Sequence, residues 1–504
     1  MILLERIWKN LREKGDAPAY CCETQRLSYR DLGEWAGRLC GYLQKRFVPG
    51  VPVLVYGHKQ PVMAAAFLAC AFGGFPFVPV DSFTPKERLR AILDSARPQA
   101  LLAAEPLPEE KIPVLSPEVL DEICRGKKTV PLPYPARKKD EFFYIIYTSG
   151  STGTPKGVMV TCENLDSFAN WMWAMFPQKP AVVVNQAAFS FDLSVADFWP
   201  ALSWGAQEYI LSRRTQRDYP SLFSQLEKSE GELMVLTPSF ASLLLADQSF
   251  CAQRFPKLKT LFFCGETLLP KTAQTLLERF SGLRILNAYG PTECTVAVTA
   301  AKIGEKEAAA ALLPVGNPKP GMEIRIENEG RLAKEGEEGE IVLVGDSVAA
   351  GYVGTKPHAT SFGMRDGKRS YCTGDLGWME NGVLYCKGRL DSQVKIRGYR
   401  VELQDVEKNL LALPGVDEAA VVSCQDQEGR TVRLAAFVRL GDGQDLTRQQ
   451  LQALLAQRLP AYMCPVIRIV QVFPLNENGK CDRKKLKEIA NGKGTFKADP
   501  NNRK

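Results

Sequence analysis

The stretch Tyr147-Thr148-Ser149-Gly150-Ser151-Thr152-Gly153-Thr154-Pro155-Lys156-Gly157 directly follows the apolar run FFYII of residues 142–146. A buried strand that leads into a loop of hydroxyls, glycines and one lysine is typical of an α/β protein that binds a polyphosphate, because glycine lets backbone N–H groups approach phosphate oxygens. The loop lacks the GxxxxGK[ST] spacing of a Walker A loop. A flexible Ser/Gly linker is the alternative interpretation. The position after a strand, with Lys156 inside the loop, favours phosphate binding.

Strand-like and helix-like runs alternate on both sides of this loop, which predicts an α/β fold. We expect a large N-terminal core domain over residues 1–390, with two α/β lobes near residues 1–160 and 161–300 and a β-rich subdomain near residues 314–389. A small mobile α+β domain is expected over residues 391–490. Residues 491–504 are polar and contain Gly and Pro, which predicts a flexible tail.

The composition excludes several classes of protein. Hydrophobic residues make up 45% of the 504 residues and charged residues 24%, which is ordinary for a globular chain. Only His58 and His358 are present, so a His-rich zinc site is excluded. The net charge of 64 − 57 = +7 is too thinly spread to indicate nucleic acid. The 14 cysteines contain no CxxC spacing and predict reduced thiols in the cytoplasm.

One uncharged run, Pro61 to Val80, has the length of 20 residues that a membrane span needs. Gly73, Gly74 and two prolines interrupt it, so we predict a buried helix near residues 62–72 and a short strand near residues 77–80. The N-terminus places Glu5 and Arg6 where a signal peptide would be apolar. The sequence therefore predicts a cytoplasmic protein with no transmembrane segment.

Four further motifs follow the phosphate loop in order: NAYGPTE at 287–293, YCTGDLG at 371–377, GRLDSQVKIRGYRVEL at 388–403 and NGK at 478–480. Together with TSGSTGTPKG they resemble the adenylate-forming enzymes, the family of acyl-CoA synthetases, luciferases and peptide-synthetase adenylation domains. The resemblance spans nearly the whole chain. It implies a ligase that joins a carboxylate to the α-phosphate of ATP, releases pyrophosphate, and then passes the acyl group to a thiol.

The resemblance also implies roles for individual residues. Tyr289 would lie against adenine, Asp375 would accept the ribose hydroxyls and Arg389 would contact the ribose or a phosphate. Glu293 would help to hold Mg²⁺, and the Lys480 cation would stabilise charge as the carboxylate attacks phosphorus. Asp391 matches the family's hinge. The implied ATP-binding residues are Thr148, Ser149, Gly150, Ser151, Thr152, Gly153, Lys156, Tyr289, Gly290, Thr292, Asp375 and Arg389.

The motif FSFDLSV at 189–195 concerns the acid that is activated. Amino-acid-activating members place an aspartate at the position of Asp192 to pair with the substrate ammonium, although such an aspartate can also cap a turn. The family's pocket corresponds to Asp192, Leu193, Ala196, Ser239, Cys264, Ala288, Val296, Ala297 and Lys480. Its small and apolar residues predict a small uncharged amino acid.

The motifs around Cys264, with PAYMCP at 460–465, resemble most closely the branch of the family that loads D-alanine for teichoic acids of the cell wall. Cys264 would then help to select the stereoisomer, with an inert core thiol as the alternative. Ala196 is smaller than the methionine expected there, so D-serine, glycine, L-alanine and a somewhat larger residue stay open besides D-alanine.

The acceptor is expected to be a separate phosphopantetheinylated carrier protein. The chain has 24 residues after Lys480, and a carrier domain needs roughly 80. Three alternatives remain: a free-standing peptide-synthetase adenylation enzyme for another amino acid, an acyl-CoA synthetase, and a silent nucleotide-binding protein. Asp192 counts against the second, and the intact set of Glu293, Asp375, Arg389 and Lys480 counts against the third.

Overall fold

A computed structural model describes residues 1–107, 110–150, 154–354, 361–391, 393–426, 431–441, 443–474 and 481–492. It forms two compact units. The first comprises Met1–Phe83, Leu93–Thr148 and Gly157–Leu390, and the second comprises Thr84–Ile92, Ser149–Lys156 and Asp391–Lys504. The mixed α/β class, with a large N-terminal part and a smaller C-terminal part, is confirmed. The domain boundaries, the mobility of the small domain and the flexible tail stay predictions.

The helices are short and separated by strands along most of the chain. In order they are α1 Ile2–Glu13, α2 Tyr29–Gln44, α3 Pro61–Gly73, α4 Lys86–Ala96, α5 Pro117–Cys124, α6 Cys162–Met175, α7 Val195–Trp204, α8 Arg213–Arg217, α9 Tyr219–Ser229, α10 Pro238–Leu245, α11 Pro270–Arg279, α12 Glu305–Ala308, α13 Leu403–Leu411, α14 Arg448–Ala456 and α15 Arg483–Ala490.

The strands up to residue 303 are β1 Pro18–Cys22, β2 Gln25–Ser28, β3 Val53–Tyr56, β4 Phe77–Val80, β5 Ala100–Ala103, β6 Val114–Leu115, β7 Phe142–Thr148, β8 Lys156–Thr161, β9 Val182–Asn185, β10 Gln207–Ile210, β11 Leu233–Leu236, β12 Thr260–Phe263, β13 Arg284–Tyr289 and β14 Thr299–Ile303. Those that follow are β15 Asn317–Pro318, β16 Met322–Asn328, β17 Arg331–Leu332, β18 Gly339–Gly345, β19 Phe362–Arg365, β20 Lys368–Glu380, β21 Val383–Arg389, β22 Gln393–Ile396, β23 Tyr399–Glu402, β24 Val416–Gln425, β25 Thr431–Leu440 and β26 Val466–Ile469.

The first sheet has the strand order β6-β5-β3-β4-β7-β8. Strands β3, β4 and β5 pair in parallel and are buried on both faces, which explains their unbroken apolar sequences. The uncharged run forms α3, buried on all sides, and then β4, as predicted. Within the described ranges, no helix combines the length and the apolarity that a membrane span requires.

The second sheet has nine strands in the order β15-β14-β13-β12-β11-β9-β10-β1-β2. It corrects the expected division of the lobes at residue 160, because β1 and β2 belong to this sheet. β1 pairs in parallel with β10, with Tyr20 opposite Glu208. Its residues Ala19, Tyr20 and Cys21 are buried, so this strand is stable only where both faces are covered. The N-terminal helix α1 contacts α7.

The β-rich subdomain, which short strands and Gly-rich turns predicted, is antiparallel. Its strand order is β17-β16-β18-β20-β19, and β21 also pairs with β20. β20 is 13 residues long and carries the TGD motif. The hairpin of β20 and β21 places Asp375 directly opposite Arg389.

The second unit contains the hairpin β22-β23 and the sheet β24-β25-β26. The turn of the hairpin has two positive φ angles, 51° at Arg397 and 85° at Gly398, the conformation of a tight two-residue hairpin turn. Apolar residues of α13, α14 and the three-stranded sheet form a core that includes Val406, Val421 and Leu451. This is the α+β architecture expected for the C-terminal part.

Candidate active site

Two predicted substrate residues of the first unit, Cys264 and Ala288, lie at the carboxyl ends of strands in the row β11, β12 and β13. These strands are parallel neighbours, with Leu236 beside Phe263 and Phe263 beside Asn287. Cys264 follows β12 directly, and Ala288 lies near the end of β13. In open α/β sheets this edge is where ligands bind.

Tyr289, Asp375 and Arg389 form one hydrogen-bonded group. The Tyr289 hydroxyl donates to Asp375 Oδ2 at 2.6 Å. Arg389 Nη1 donates to Asp375 Oδ1 at 2.9 Å and to the Thr373 carbonyl oxygen at 2.8 Å. Burial, and then the charge of Asp375, raises the pKa of Tyr289 well above its ordinary value. A carboxylate offers about four acceptor positions, so Asp375 can also accept hydroxyl groups of a ligand.

Glu293 is a buried carboxylate in the 3₁₀ turn Thr292–Cys294. The Tyr352 hydroxyl donates to Glu293 Oε1 at 2.6 Å, and the Tyr371 hydroxyl lies 3.3 Å from that of Tyr352. In the part of the chain that the structure describes, no group of three or more His, Cys, Asp or Glu side chains could hold a metal ion. A single carboxylate suits Mg²⁺ that takes its other ligands from phosphates and water.

The segment after Glu293 has a strained backbone. Thr295 and Val296 have φ angles of 57° and 69°, which β-branched residues rarely adopt. The Thr295 hydroxyl donates to the Ser347 carbonyl oxygen at 2.8 Å, which helps to hold the bend. A Cβ at Gly290 would lie 2.6 Å from the Ala297 Cα, so this close approach requires glycine. Strain of this kind is frequent at functional sites.

The predicted amino-acid pocket combines this bend with the start of α7. Asp192 begins the 3₁₀ turn Asp192–Ser194, which leads directly into α7, and Leu193 and Ala196 are buried. Burial, and then the charge of Asp192, raises the pKa of Tyr144 well above its ordinary value. The Cys264 thiol lies 3.6 Å from the Val296 carbonyl oxygen. Ser239 lies in the first turn of α10, where its backbone N–H donates to Glu266 Oε2 at 2.9 Å.

Along the sequence, the predicted phosphate loop and the predicted hinge residue stand where the chain passes from one unit to the other. Thr148 ends β7 in the first unit, whereas Ser149, Gly150, Lys156 and Asp391 belong to the second. The Ser149 hydroxyl donates to the Arg400 carbonyl oxygen at 2.7 Å. A Cβ at Gly150 would lie 2.3 Å from the Thr154 carbonyl oxygen, so the turn requires glycine. Four predicted site residues lie outside the described residues: Ser151, Thr152, Gly153 and Lys480.

Three residues of this site were not predicted from the sequence. Tyr352 donates to Glu293, Thr373 supports the turn that carries Asp375, and Tyr144 has a pKa that burial and then the charge of Asp192 raise. The Thr373 hydroxyl oxygen accepts the Asp375 backbone N–H at 3.0 Å. Thr373 and Tyr144 lie inside the motif and the strand already singled out, so their sequence positions were a signal. Tyr352 follows the run SVAAG and has no such signal.

The fold and the site define the class of adenylate-forming enzymes. The chain belongs to the AMP-binding enzyme family, because the model of that family matches residues 7–353 and the model of the AMP-binding enzyme C-terminal domain matches residues 405–480. It is 39% identical over 503 residues to a D-alanine–D-alanyl carrier protein ligase of Bacillus licheniformis, a match that covers 97% of this chain and 99% of the relative. A protein of the same name from Bacillus cytotoxicus is 40% identical over 499 residues, with 96% and 99% covered.

Solved structures show the same fold. The adenylation domain AlmE of Vibrio cholerae, solved in complex with glycyl-adenosine-5'-phosphate, matches with a TM-score of 0.84 and 24% identity, over 97% of each chain. The o-succinylbenzoate CoA synthetase of Bacillus subtilis matches with a TM-score of 0.83 and 20% identity, over 96% of this chain and 98% of that one. The resemblance drawn from the sequence motifs is therefore confirmed at the level of the family and the fold.

Proposed function

We propose that the protein uses ATP to activate D-alanine as an aminoacyl-adenylate and transfers it to the phosphopantetheine thiol of a separate carrier protein. Near-full-length identity of about 40% to D-alanine–D-alanyl carrier protein ligases carries this proposal. The buried Asp192, next to small apolar residues, agrees with a small amino acid as the substrate. The product would supply D-alanine for teichoic acids.

The nucleotide would bind at the group formed by Tyr289, Asp375 and Arg389. The ring of Tyr289 offers an aromatic face for adenine, while its hydroxyl holds Asp375 in place. Asp375 would accept the ribose hydroxyls, and Arg389 neutralises part of its charge. Glu293 would be the protein's carboxylate ligand to Mg²⁺, which supplies positive charge next to the phosphates when it is bound.

The amino acid would bind where the start of α7 meets the bend at Val296. Asp192 would pair with the substrate ammonium, and this pairing offsets the cost of burying both charges. Leu193, Ala196 and Ala288 leave space for a small side chain, and the Cys264 thiol would lie beside the α-carbon. These contacts orient the substrate carboxylate toward the α-phosphate.

In the first step a carboxylate oxygen of the amino acid forms a bond to the α-phosphorus, and the bond from that phosphorus to the leaving pyrophosphate oxygen breaks. Lys480 would bridge the attacking carboxylate and the α-phosphate oxygens and stabilise the developing charge. In the second step the carrier thiol loses its proton and attacks the acyl carbon, and AMP leaves. Rotation at Asp391 would turn the small domain from the orientation used in the first step to the orientation used in the second.

We also propose that the enzyme works in the cytoplasm, where ATP, Mg²⁺ and reduced thiols are available. The 14 cysteines agree with a reducing compartment, since no disulfide pattern accompanies them. A second candidate function is the activation of another amino acid by a free-standing peptide-synthetase adenylation enzyme. The small Ala196 supports this candidate, because a small residue at this buried position leaves a larger pocket. Such a pocket discriminates only weakly against substrates with extra methylenes.

Amino-acid-dependent exchange between ATP and pyrophosphate tests the proposal. The panel is D- and L-alanine, glycine, D- and L-serine, valine and a short fatty acid, with a reaction without acid as the control. We expect the highest kcat/KM with D-alanine. A higher kcat/KM with another amino acid would support the second candidate, and exchange only with the fatty acid would contradict the role of Asp192.

A further inference from the structure

Four polar side chains form a fully buried cluster beneath the first turn of α7. Lys59 follows β3, Asn185 ends β9, Asp197 lies in α7 and Glu208 lies in β10. The exposed fraction is 1% for Lys59 and 0% for the other three. We call these residues the α7 cluster. Burying so many ionisable groups is costly unless their charges and hydrogen bonds compensate each other, so their arrangement needs a physical account.

Two members of the α7 cluster connect the elements around it. Asn185 Nδ2 donates to both carboxylate oxygens of Asp197, at 3.0 and 2.9 Å, which joins the end of β9 to the first turn of α7. Lys59 Nζ donates to the carbonyl oxygens of Gln186 and Leu211, each at 2.9 Å. Lys59 thus joins the segments that leave β9 and β10. These bonds fix the carboxyl end of β9 against the helix and join it to the carboxyl end of β10.

Glu208 has a different environment. When the carboxyl groups of Glu208 and Asp197 are both taken as ionised, neither oxygen of Glu208 accepts a hydrogen bond from an N–H or O–H group of the described residues. The Asp197 carboxyl group lies close enough to exchange a hydrogen bond with it. Two carboxyl groups can share a hydrogen bond only if one of them carries a proton. Burial, and then the neighbouring Asp197, raises the pKa of Glu208 well above its ordinary value.

The location of the proton follows from the hydrogen bonds. Asp197 accepts two N–H bonds from Asn185 and one from the backbone N–H of Phe198 at 2.7 Å, whereas Glu208 accepts none from the described residues, so the proton resides on Glu208. The cluster then contains one cation, Lys59, one anion, Asp197, and one neutral acid. Ionisation of Glu208 would leave a second buried negative charge beside the first, with a single lysine to oppose both.

We propose that Glu208 is a positioning residue for the amino-acid pocket: its protonated carboxyl group donates to Asp197 and holds the first turn of α7 in place. The inference rests on the proposed function, because that function assigns Ala196 and Asp192 to the amino acid. Ala196 precedes Asp197 directly, and the turn Asp192–Ser194 leads into the same helix. A small displacement of this turn would misplace the partner of the substrate ammonium. Tyr289, Asp375 and Arg389, the group proposed for the nucleotide, lie on β13, β20 and β21 instead.

Two substitutions of Glu208 separate its proposed role from a general effect on stability. Glu208→Gln is neutral, nearly isosteric and still a donor, so the amino-acid KM should stay within about twofold of the wild-type value. Glu208→Leu fills similar space without a donor, and we expect the amino-acid KM to rise about tenfold or more while the ATP KM changes less than about twofold. Both constants come from pyrophosphate exchange. Tyr209→Phe is the matched control, because it removes a hydrogen bond to Gln225 of 2.6 Å from the same strand.

Several results would overturn the proposal. They are an unchanged amino-acid KM in Glu208→Leu, an equal rise of both KM values, or an effect of Glu208→Gln as large as that of Glu208→Leu. The comparison uses whichever amino acid the wild type activates, so a substrate other than D-alanine contradicts the proposed function and leaves this test intact.

Infrared difference spectroscopy provides a measurement that needs no substrate and no variant with an altered core shape. At neutral pH the wild type should show the carbonyl stretching band of a buried protonated carboxyl group, and Glu208→Gln should lack it. If the spectra of the two proteins agree in this region, Glu208 is ionised and the proposal is wrong.

Discussion

Tyr289 combines two functions in one side chain, since its ring would contact adenine and its hydroxyl holds Asp375. Tyr289→Phe keeps the ring and removes the 2.6 Å hydrogen bond. A hydrogen bond to a charged group contributes about 1.5–3 kcal/mol, so we expect the ATP KM to rise about tenfold while the amino-acid KM stays nearly constant. Tyr385→Phe is the control, because Tyr385 lies on the hairpin that carries Asp375 and stacks on Trp378. An unchanged ATP KM would contradict this role of the hydroxyl.

Ala196 is the residue whose size should set the upper limit of the substrate. It is fully buried at the start of α7. Ala196→Met would fill part of the pocket, so the ratio of kcat/KM for D-alanine to that for valine should rise about tenfold or more. A pocket discriminates between substrates by about 1–3 kcal/mol for each methylene by which they differ, which allows a change of this size. Ratios that stay constant across side-chain sizes would show that Ala196 does not line the pocket.

At the residue scale, sequence motifs identified side chains that the fold brings together, but they could not give their contacts. TGD and GRLD contain Asp375 and Arg389, and the antiparallel register that sets these residues opposite each other emerges only from the hairpin. Tyr352 reaches Glu293 across 59 positions of sequence, and no local pattern indicates such a partner. The buried pairing of Asp197 with Glu208 was missed for the same reason.

At the element scale, the hydrophobic pattern predicted helices and strands well where burial alone determines the sequence. The uncharged run around α3 is buried on all sides, so its sequence is apolar at every position. The strand β1 shows the opposite case. Its short apolar sequence predicts a buried strand, but pairing with β10, nearly 190 residues away, depends on which sheet edge is available.

The first turn of α13 gives a prediction about pH. Asp405 is buried there, and burial raises its pKa to about 6, although Arg88 and Asn409 favour the charged form and Glu402 opposes it. A carboxyl group whose folded pKa is raised contributes stability that is fully present below its unfolded pKa, about 3.9, and is lost as the pH rises through about 6.

Asp405→Asn removes this titration. Between pH 4 and pH 7 we expect the free energy of unfolding of the wild type to fall by about 2–3 kcal/mol relative to that of the variant, from a shift of about two pKa units. Urea unfolding of the full chain across this pH range measures the difference. A difference that does not change with pH would show that Asp405 has an ordinary pKa in the folded protein.

At the scale of the whole molecule, the chain belongs to a family of adenylating enzymes and forms two compact units. Tyr289, Asp375 and Arg389, proposed for the nucleotide, and Asp192 and Ala196, proposed for the amino acid, belong to the first unit, while Ser149, Gly150, Lys156 and Asp391 belong to the second. The order of motifs along the chain predicted this family. The substrate was less certain from sequence, because a pocket of small residues accepts several small amino acids.

The most direct test of the central claim is the loading of a separate carrier protein. The enzyme is incubated with ATP, Mg²⁺, an equal mixture of small amino acids and a D-alanyl carrier protein with or without its phosphopantetheine arm, and the intact mass of the carrier is measured. We predict that only the carrier with the arm gains mass, by one alanyl group, and that hydrolysis of the thioester releases D-alanine. Loading with another amino acid, or no loading while pyrophosphate exchange proceeds, would contradict the account.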